Sequence, residues 1–414
     1  MIGNNLYQFP ISHVRAQFPA LKRVYNNKPV IYLDGPGGTQ VVRTSIQAMS
    51  NYMSNGSANL HGQFPSSKET SDIIIEAKEA VADMFGSKSE EVAFGANTTT
   101  LEFAISRAIS RDLKAGDEIV VSEIDHRANV DPWLAIAKDK GIEVRWLKVN
   151  TGNLTLDLSE IYSVITEKTR IVAVCLASNA VGTISEVEVI SDRAKAVGAI
   201  VVVDVAHAAP HFFIDRNKFG ADILLCSAYK FFGPHIGIAV IKQDIFEKLN
   251  TYRLEPASSS IPDKLETGTQ NHEGIAGITP AINFIASLGR GDSRREKIMS
   301  GFEQIEAHEN RLVSKIRKRL SKISKVIMYQ APEWSRKTPT IAFRIDGMTP
   351  QEVCRFMAEE YSIFIGDGDF YATTLAEKLD IVKSGGWIRA GIAPYNSEEE
   401  VEIFISAIRK LVGE

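Results

Sequence analysis

A lysine closes the segment Ala221-Asp-Ile-Leu-Leu-Cys-Ser-Ala-Tyr-Lys230, which runs on into Phe-Phe-Gly-Pro234. An amine at the mouth of an apolar strand is desolvated, which lowers its pKa and frees it to attack a carbonyl. That is the chemistry of a Schiff-base lysine. The chain also holds the partners such a lysine needs if the carbonyl is that of pyridoxal phosphate. Asp204 ends the run Ala199-Ile-Val-Val-Val-Asp204 and could hydrogen-bond a pyridinium nitrogen, making the ring an electron sink. Asn179 follows the apolar run Arg170–Leu176 and could donate to a ring oxygen. His207, three residues past Asp204, could reach the same oxygen or relay a proton.

Three of these signals have plainer readings when taken singly. Thr98 and Thr99, in Phe94-Gly-Ala-Asn-Thr98-Thr99-Thr100, sit between a strand and a helix, where free N–H groups hold phosphate. Threonine is equally a common helix cap. His126 could stack on an aromatic ring or merely cap the next helix. Asp204 could cap a loop. The weight lies in the ordered set Thr98/Thr99, His126, Asn179, Asp204, Ser227 and Lys230, each at an expected strand end.

The elements that must position these residues are legible as apolar runs. Strands are expected at Glu91–Phe94, Glu118–Val121, Val144–Val149, Arg170–Leu176, Ala199–Asp204, Asp222–Cys226 and Gly237–Ile241. Helical patterns such as Thr99–Ser110, Val130–Lys140 and Val187–Val197 lie between them. Val- and Ile-rich runs separated by helices predict an α/β fold with a mostly parallel seven-stranded sheet, covered on both faces. Ligands of such sheets sit outside the carboxyl ends of the strands. Residues 291–322 read as one long charged helix, and the shorter strands and helices beyond it predict a smaller α+β domain. The expected division is a large domain over 30–290 and a small one from 1–29 with 291–414.

Bulk properties exclude several classes. The 414 residues are 44% hydrophobic and 24% charged, enough for a large core and two domains. A net charge of −4 offers no general attraction for nucleic acid or an acidic membrane surface. No apolar run approaches the roughly 20 residues of a membrane span. The start, Met-Ile-Gly-Asn-Asn, lacks the basic and apolar regions of a signal peptide. Three widely spaced cysteines form neither a disulfide framework nor a zinc site. A reduced, cytoplasmic protein without a metal is expected.

The ordered set resembles the class V aminotransferase family of fold-type I pyridoxal phosphate enzymes, in its cysteine-desulfurase-like branch. The matching blocks are Ser57-Ala-Asn-Leu-His61, Asp125-His126-Arg-Ala-Asn129, Ser178-Asn179-Ala-Val-Gly-Thr183, Asp204-Val-Ala-His207-Ala-Ala-Pro-His211, Ser227-Ala-Tyr-Lys230 with Gly233-Pro234, and Glu266-Thr-Gly-Thr269. The resemblance implies that Lys230 carries the cofactor, Asp204 binds the pyridine nitrogen and His126 stacks on the ring. Asn179 and His207 would contact the ring hydroxyl region, and Thr98, Thr99, Ser227 and Tyr229 the phosphate. Thr269 would serve the phosphate of a second subunit, which implies a homodimer with shared sites. Arg389 would grip the substrate carboxylate, a role suited to its planar fork. The loop Asp34–Thr39 would line the substrate side.

Departures narrow the chemistry. Desulfurases often carry His where Tyr229 stands and Gln where His207 stands. The family's persulfide-forming cysteine precedes the carboxylate-binding arginine, yet the stretch from Ile365 to Gly386 contains none. Cys175 and Cys226 fall in expected buried strands and Cys354 on an apolar helix stripe, where thiols are poor nucleophiles. A standard persulfide mechanism is therefore not expected. The leading expectation is an enzyme acting on an amino acid, as an aminotransferase or a C–S/β-eliminating lyase, with Tyr371 and Asp367 available to steer the outcome. The alternatives are an epimerase or decarboxylase on the same scaffold, or a cofactor-binding protein without turnover. An intact Lys230, Asp204 and Arg389 argue against the last. A nucleotide-binding module is disfavoured by the lack of a Walker lysine motif and of G-x-G-x-x-G after a strand.

Overall fold

The computed structural model describes residues 9–414. Residues 1–8, part of the segment assigned above to the smaller domain, lie outside the described residues.

All seven expected strands form and join one sheet. They are β1 Val92–Gly95, β2 Glu118–Ser122, β3 Glu143–Leu147, β4 Thr169–Cys175, β5 Ile200–Asp204, β6 Ile223–Ser227 and β7 Gly237–Ile241. Their spatial order is β1-β7-β6-β5-β4-β2-β3. Every pairing from β6 across to β3 is parallel, and only β7 runs antiparallel to its neighbours. The central strands are buried along their length, as continuous Val/Ile runs require. Apolar side chains fill both faces: Val172, Val174, Val201, Val203 and Leu224 on one, Ile171, Ala173, Val202, Ile223 and Leu225 on the other.

This topology gathers the chemistry. Because β4, β5 and β6 are parallel neighbours, their carboxyl ends deliver Asn179, Asp204 with His207, and Ser227 with Lys230 to one edge. Asp204 lies in register with Cys175 on one side and Leu225 on the other.

A second sheet is antiparallel, in the order β8 (Val326–Tyr329), β9 (Thr340–Ile345), β11 (Trp387–Gly391) and β10 (Gly366–Gly368). Its core includes Ile341, Phe343, Ile388 and Ala390 together with Val353 and Met357 of the helix Pro350–Tyr361. The helix Arg294–Leu320 spans about 40 Å at 1.5 Å per residue and serves both cores. Its stripe contributes Ile298, Phe302 and Ile305 to the large-sheet core, then Leu312, Val313, Ile316 and Leu320 to the second. At the N-terminus the packing departs from the expected grouping. Val14 and Phe18 join the large-sheet core, and Phe18 meets Phe232 and Phe284 edge-on. Ile31 and Leu33 belong to the second core. We keep 30–290 and 1–29 with 291–414 as a proposed division.

Candidate active site

A cavity of about 340 Å³ opens at the carboxyl ends of β4, β5 and β6. Its lining includes Thr98, Thr99, His126, Asn179, Asp204, His207, Ser227, Tyr229, Lys230 and Arg389. Two expected residues lie outside it: Thr269 is exposed and lines a separate pocket with Gly95, Thr100, His235 and Asn271, and Asp367 is exposed on β10 beside Cys354.

Lys230 sits in a short 3₁₀ turn immediately after β6. Its Nζ donates to the carbonyls of Pro36 at 2.6 Å and Gly37 at 3.2 Å. Burial lowers its pKa from 10.5 to about 8, helped by the Arg389 charge and opposed by Asp204 and Asp34. The amine is thus held among acceptors while its charge is weakened.

Asp204 is buried, and its Oδ1 accepts from the Ala206 N–H at 2.8 Å. The loop-capping role is real, but it uses one oxygen and leaves the carboxyl at the cavity wall. Burial raises the Asp204 pKa to about 6, opposed by that hydrogen bond and by Lys230. Two more buried acids stand nearby. Asp125 accepts from Ser122 and from Asn129 Nδ2, and burial pushes its pKa to about 7. Glu102 accepts from Trp133 Nε1 at 3.0 Å and is pushed well up, first by burial and then by Asp204. Both acids lie in blocks read from the sequence only for their neighbours.

At the other end, the helix Thr98–Ser110 starts against the sheet. Its cap is Asn97, whose side chain accepts from Thr100 N at 2.9 Å while Thr100 Oγ1 accepts from Asn97 N. Thr98 and Thr99 are therefore not caps. Thr98 Oγ1 meets Ser227 Oγ at 2.6 Å, and Thr98 N donates to the same oxygen at 3.1 Å. Gly237, paired with Ser227, permits this approach: a Cβ there would lie 2.5 Å from the Asn97 carbonyl carbon. The result is a cluster of hydroxyls at a 13-residue helix N-terminus, suited to an anion.

His126 takes the capping role considered for it. Its Nδ1 accepts from Ala128 N at 3.0 Å, capping a 3₁₀ turn, and its ring faces the cavity. Burial lowers its pKa to about 4, reinforced by Lys230 and Arg389, so the ring is neutral. Tyr371 lies beside it at 5.4 Å between ring centroids and is 70% exposed.

Arg389, from the middle of β11, is 4% exposed and enters the cavity from the second sheet. Nη1 donates to the Asn179 carbonyl at 2.9 Å, and the guanidinium lies 3.7 Å over the Phe370 ring. Asn179 Nδ2 in turn donates to the Phe370 carbonyl at 2.7 Å. Phe370 and Tyr371 both adopt positive φ, 53° and 57°, and the Tyr371 carbonyl accepts from Arg127 N at 2.8 Å. Two left-handed non-glycine residues in succession are strained and persist only where contacts over-determine them. No composition signal marked Phe370, because its partner lies 191 residues away. Asn179 Oδ1 and Arg389 Nε are buried without protein partners.

The three thiols are buried, as expected. Cys175 lines the cavity wall, but burial raises its pKa well above the ordinary value, with Asp125 and Asp204 adding to the effect. Burial also pushes up Cys226 and Cys354. Among the described residues no cluster of potential metal ligands occurs, and no helix is long and apolar enough to cross a membrane.

The cavity thus joins a strand-end lysine, a buried carboxylate, a hydroxyl-rich helix N-terminus and a buried arginine from the second sheet. The family model for class V aminotransferases matches residues 31–404, and the chain belongs to that family of pyridoxal phosphate enzymes. It is 28% identical to an aminotransferase-like protein, FGM3, of Gibberella zeae, over 98% of this chain and 99% of that protein. It is 29% identical to a cysteine desulfurase of Yersinia pseudotuberculosis, over 97% and 98% of the two chains. Among solved structures, the apo cysteine desulfurase of Thermococcus onnurineus superposes with a TM-score of 0.88 at 28% identity, covering 98% of each chain. The cysteine desulfurase CsdA of Escherichia coli gives 0.85 at 26% identity, over 98% of this chain and 99% of that one.

Proposed function

We propose that the chain is an amino-acid enzyme of this family, an aminotransferase or a C–S/β-eliminating lyase, in which Lys230 carries pyridoxal phosphate as a Schiff base. The observation that carries the reading is the Lys230 amine, weakened by burial and sharing one cavity with Asp204 and Arg389. The residues present fit the cofactor. Thr98, Thr99 and Ser227 offer hydroxyls and helix N–H groups for a phosphate, and Asp204 offers an anion for a ring nitrogen. The unpartnered Asn179 Oδ1 and Arg389 Nε offer buried polar atoms for further contacts. Bound there, the cofactor supplies a carbonyl for amines and a protonated ring that takes up electron density from the substrate α-carbon.

The protein's own part follows from the site. Arg389 binds the substrate carboxylate, with Phe370 fixing the plane of its guanidinium. Lys230, with its amine in the cavity, would move a proton at the substrate α-carbon as general base. Neutral His126 would offer a cofactor ring an apolar face without adding charge. Tyr371, beside His126 at the cavity mouth, steers the later proton transfers; Tyr371→Phe with an unchanged product ratio and rate would remove it from the mechanism. The buried thiols supply no mobile persulfide carrier, which supports a chemistry other than the standard desulfurase cycle. Thr269 faces away from this cavity and would serve the equivalent cavity of a second copy in a homodimer.

The test is the visible spectrum of the purified protein mixed with pyridoxal phosphate, then titrated with amino acids beginning with L-cysteine. Lasting conversion to the amine form of the cofactor identifies transamination. A transient band that recovers while keto acid or sulfide accumulates identifies elimination. No Schiff-base band at all would refute the reading. The pH dependence is specific: the amine attacks only when neutral, so the condensation rate rises about tenfold per unit below the Lys230 pKa and levels above about 8. A rate still climbing towards pH 10 would point to an ordinary exposed lysine.

A further inference from the structure

His207 is buried at the cavity wall, and its Nε2 meets two hydroxyls, that of Thr340 at the start of β9 and that of Thr338 just before it. Nε2 lies 2.8 Å from Thr340 Oγ1 and 3.2 Å from Thr338 Oγ1. The two hydroxyls are 3.0 Å apart, and Thr338 Oγ1 is 3.3 Å from the Gly182 carbonyl. Both threonines are buried. The arrangement is tightly set: Arg317 Nη2 donates to the carbonyls of Thr338 and Thr340 at 2.7 and 2.9 Å. Gly182, at φ 76°, admits it, since a Cβ there would lie 2.8 Å from Thr338 Oγ1.

Counting protons decides the tautomer. If Nε2 carries hydrogen, it donates to Thr340, Thr340 donates to Thr338, and Thr338 donates to the Gly182 carbonyl. Three of the four close contacts then hold a proton of their own, and the longer one, to Thr338, shares the Nε2 proton. If Nε2 is bare, only the two hydroxyl protons remain for the four contacts, for example with Thr338 donating to Thr340 and Thr340 to Nε2. That leaves lone pairs facing each other between His207 and Thr338 and between Thr338 and Gly182. In a buried site each missing hydrogen bond is costly. The neighbouring His211 ring, edge-on at 5.7 Å, brings no charge, since burial pushes its pKa down to about 3; its Nδ1 lies 3.0 Å from Glu309 Oε2. No described protein group engages the remaining nitrogen of His207, Nδ1.

We propose that Thr338 and Thr340 are positioning residues that lock His207 as the Nε2–H tautomer, so that it offers the cavity a proton acceptor at Nδ1. A ligand group facing His207 must then bring a proton, as a pyridine ring hydroxyl does. This rests on the proposed cofactor reading for its ligand but not for its tautomer.

The experiment uses full-length protein labelled with ¹⁵N-histidine. Two-bond proton–nitrogen correlation spectra distinguish the two neutral tautomers and the imidazolium, and His207→Gln identifies the signal. The expected wild-type pattern is Nε2–H, before and after addition of pyridoxal phosphate. In the Thr338→Val/Thr340→Val double variant the pattern should switch to Nδ1–H, while Thr340→Ser retains Nε2–H. With cofactor bound, the near-ultraviolet band of the protonated ring oxygen should fall relative to the visible band by about threefold or more in the double variant, the scale of one hydrogen bond. An Nδ1–H or imidazolium pattern in the wild type overturns the proposal, even if the double variant fails to fold. So does a pattern unmoved in a folded double variant. A wild-type Nε2–H pattern in a chain that forms no Schiff-base band upholds the tautomer and refutes the cofactor reading.

Discussion

Lys230→Ala is expected to abolish the Schiff-base band and lower turnover by about 10⁴-fold or more, the upper range for loss of a general base. On the proposed function, two roles would vanish together: the covalent tether and the proton transfer at the α-carbon. The Pro36 and Gly37 carbonyls that receive the amine remain, so added small primary amines should restore part of the rate. Stability should not suffer at neutral pH. The folded pKa, about 8, lies below the ordinary 10.5, so the folded chain binds fewer protons than the unfolded one between those values. The penalty of holding this lysine is fully present below about pH 8 and fades as pH rises towards 10.5. Thermal unfolding at pH 7 and pH 10 checks the sign: any stabilisation by the substitution should be larger at pH 7. A variant that keeps wild-type turnover would remove Lys230 from the mechanism.

The second large effect is expected at Asp204. Asp204→Asn keeps the shape and an oxygen able to accept from Ala206 N, but removes the negative charge. Loss of one preorganised electrostatic partner in a buried site costs about 10²–10³ in turnover. The stability change should run the other way. Burial raises the folded pKa of Asp204 to about 6 from 3.8, so the folded chain holds the proton more strongly between these values. The stability this confers is complete below about pH 3.8 and lost as pH rises through 6. At pH 7.5 the asparagine variant should therefore be at least as stable as the native chain while far less active. A merely structural Asp204 would give the reverse, a less stable protein with kcat unchanged in the folded fraction.

Most of the frame was legible in the sequence. Each of the seven expected strands forms within about two residues of its expected limits, because all but the edge strand β3 are buried and so apolar along most of their length. The placement of Asn179, Asp204, His207, Ser227 and Lys230 in one cavity followed from expecting a parallel sheet, whose strands all deliver their ends to one edge. Other features were hidden for a common reason. Phe370 stacks on Arg389, and Thr340 bonds His207 across 133 positions of sequence. Glu309 had a visible signal, since it interrupts the apolar stripe Ile305–Leu312 of a long helix, but its partner His211 did not. The helix cap at Asn97 rather than Thr98 is a choice among adjacent polar residues with similar capping power, settled by which one Ser227 engages.

The amino-acid sequence by itself determined which segments are strands and helices, and which polar residues end them. Apolar runs and their punctuation are local properties, carried by neighbours along the chain. Only the tertiary structure decided how those end residues behave: the carbonyls that receive the Lys230 amine, the strengthened hold of Asp204 on its proton, the hydroxyls that meet His207, and the placing of Thr269 in a separate pocket. Those properties depend on burial and on partners brought from distant segments. Desolvation and hydrogen bonding act through space, and no spacing along the chain encodes them.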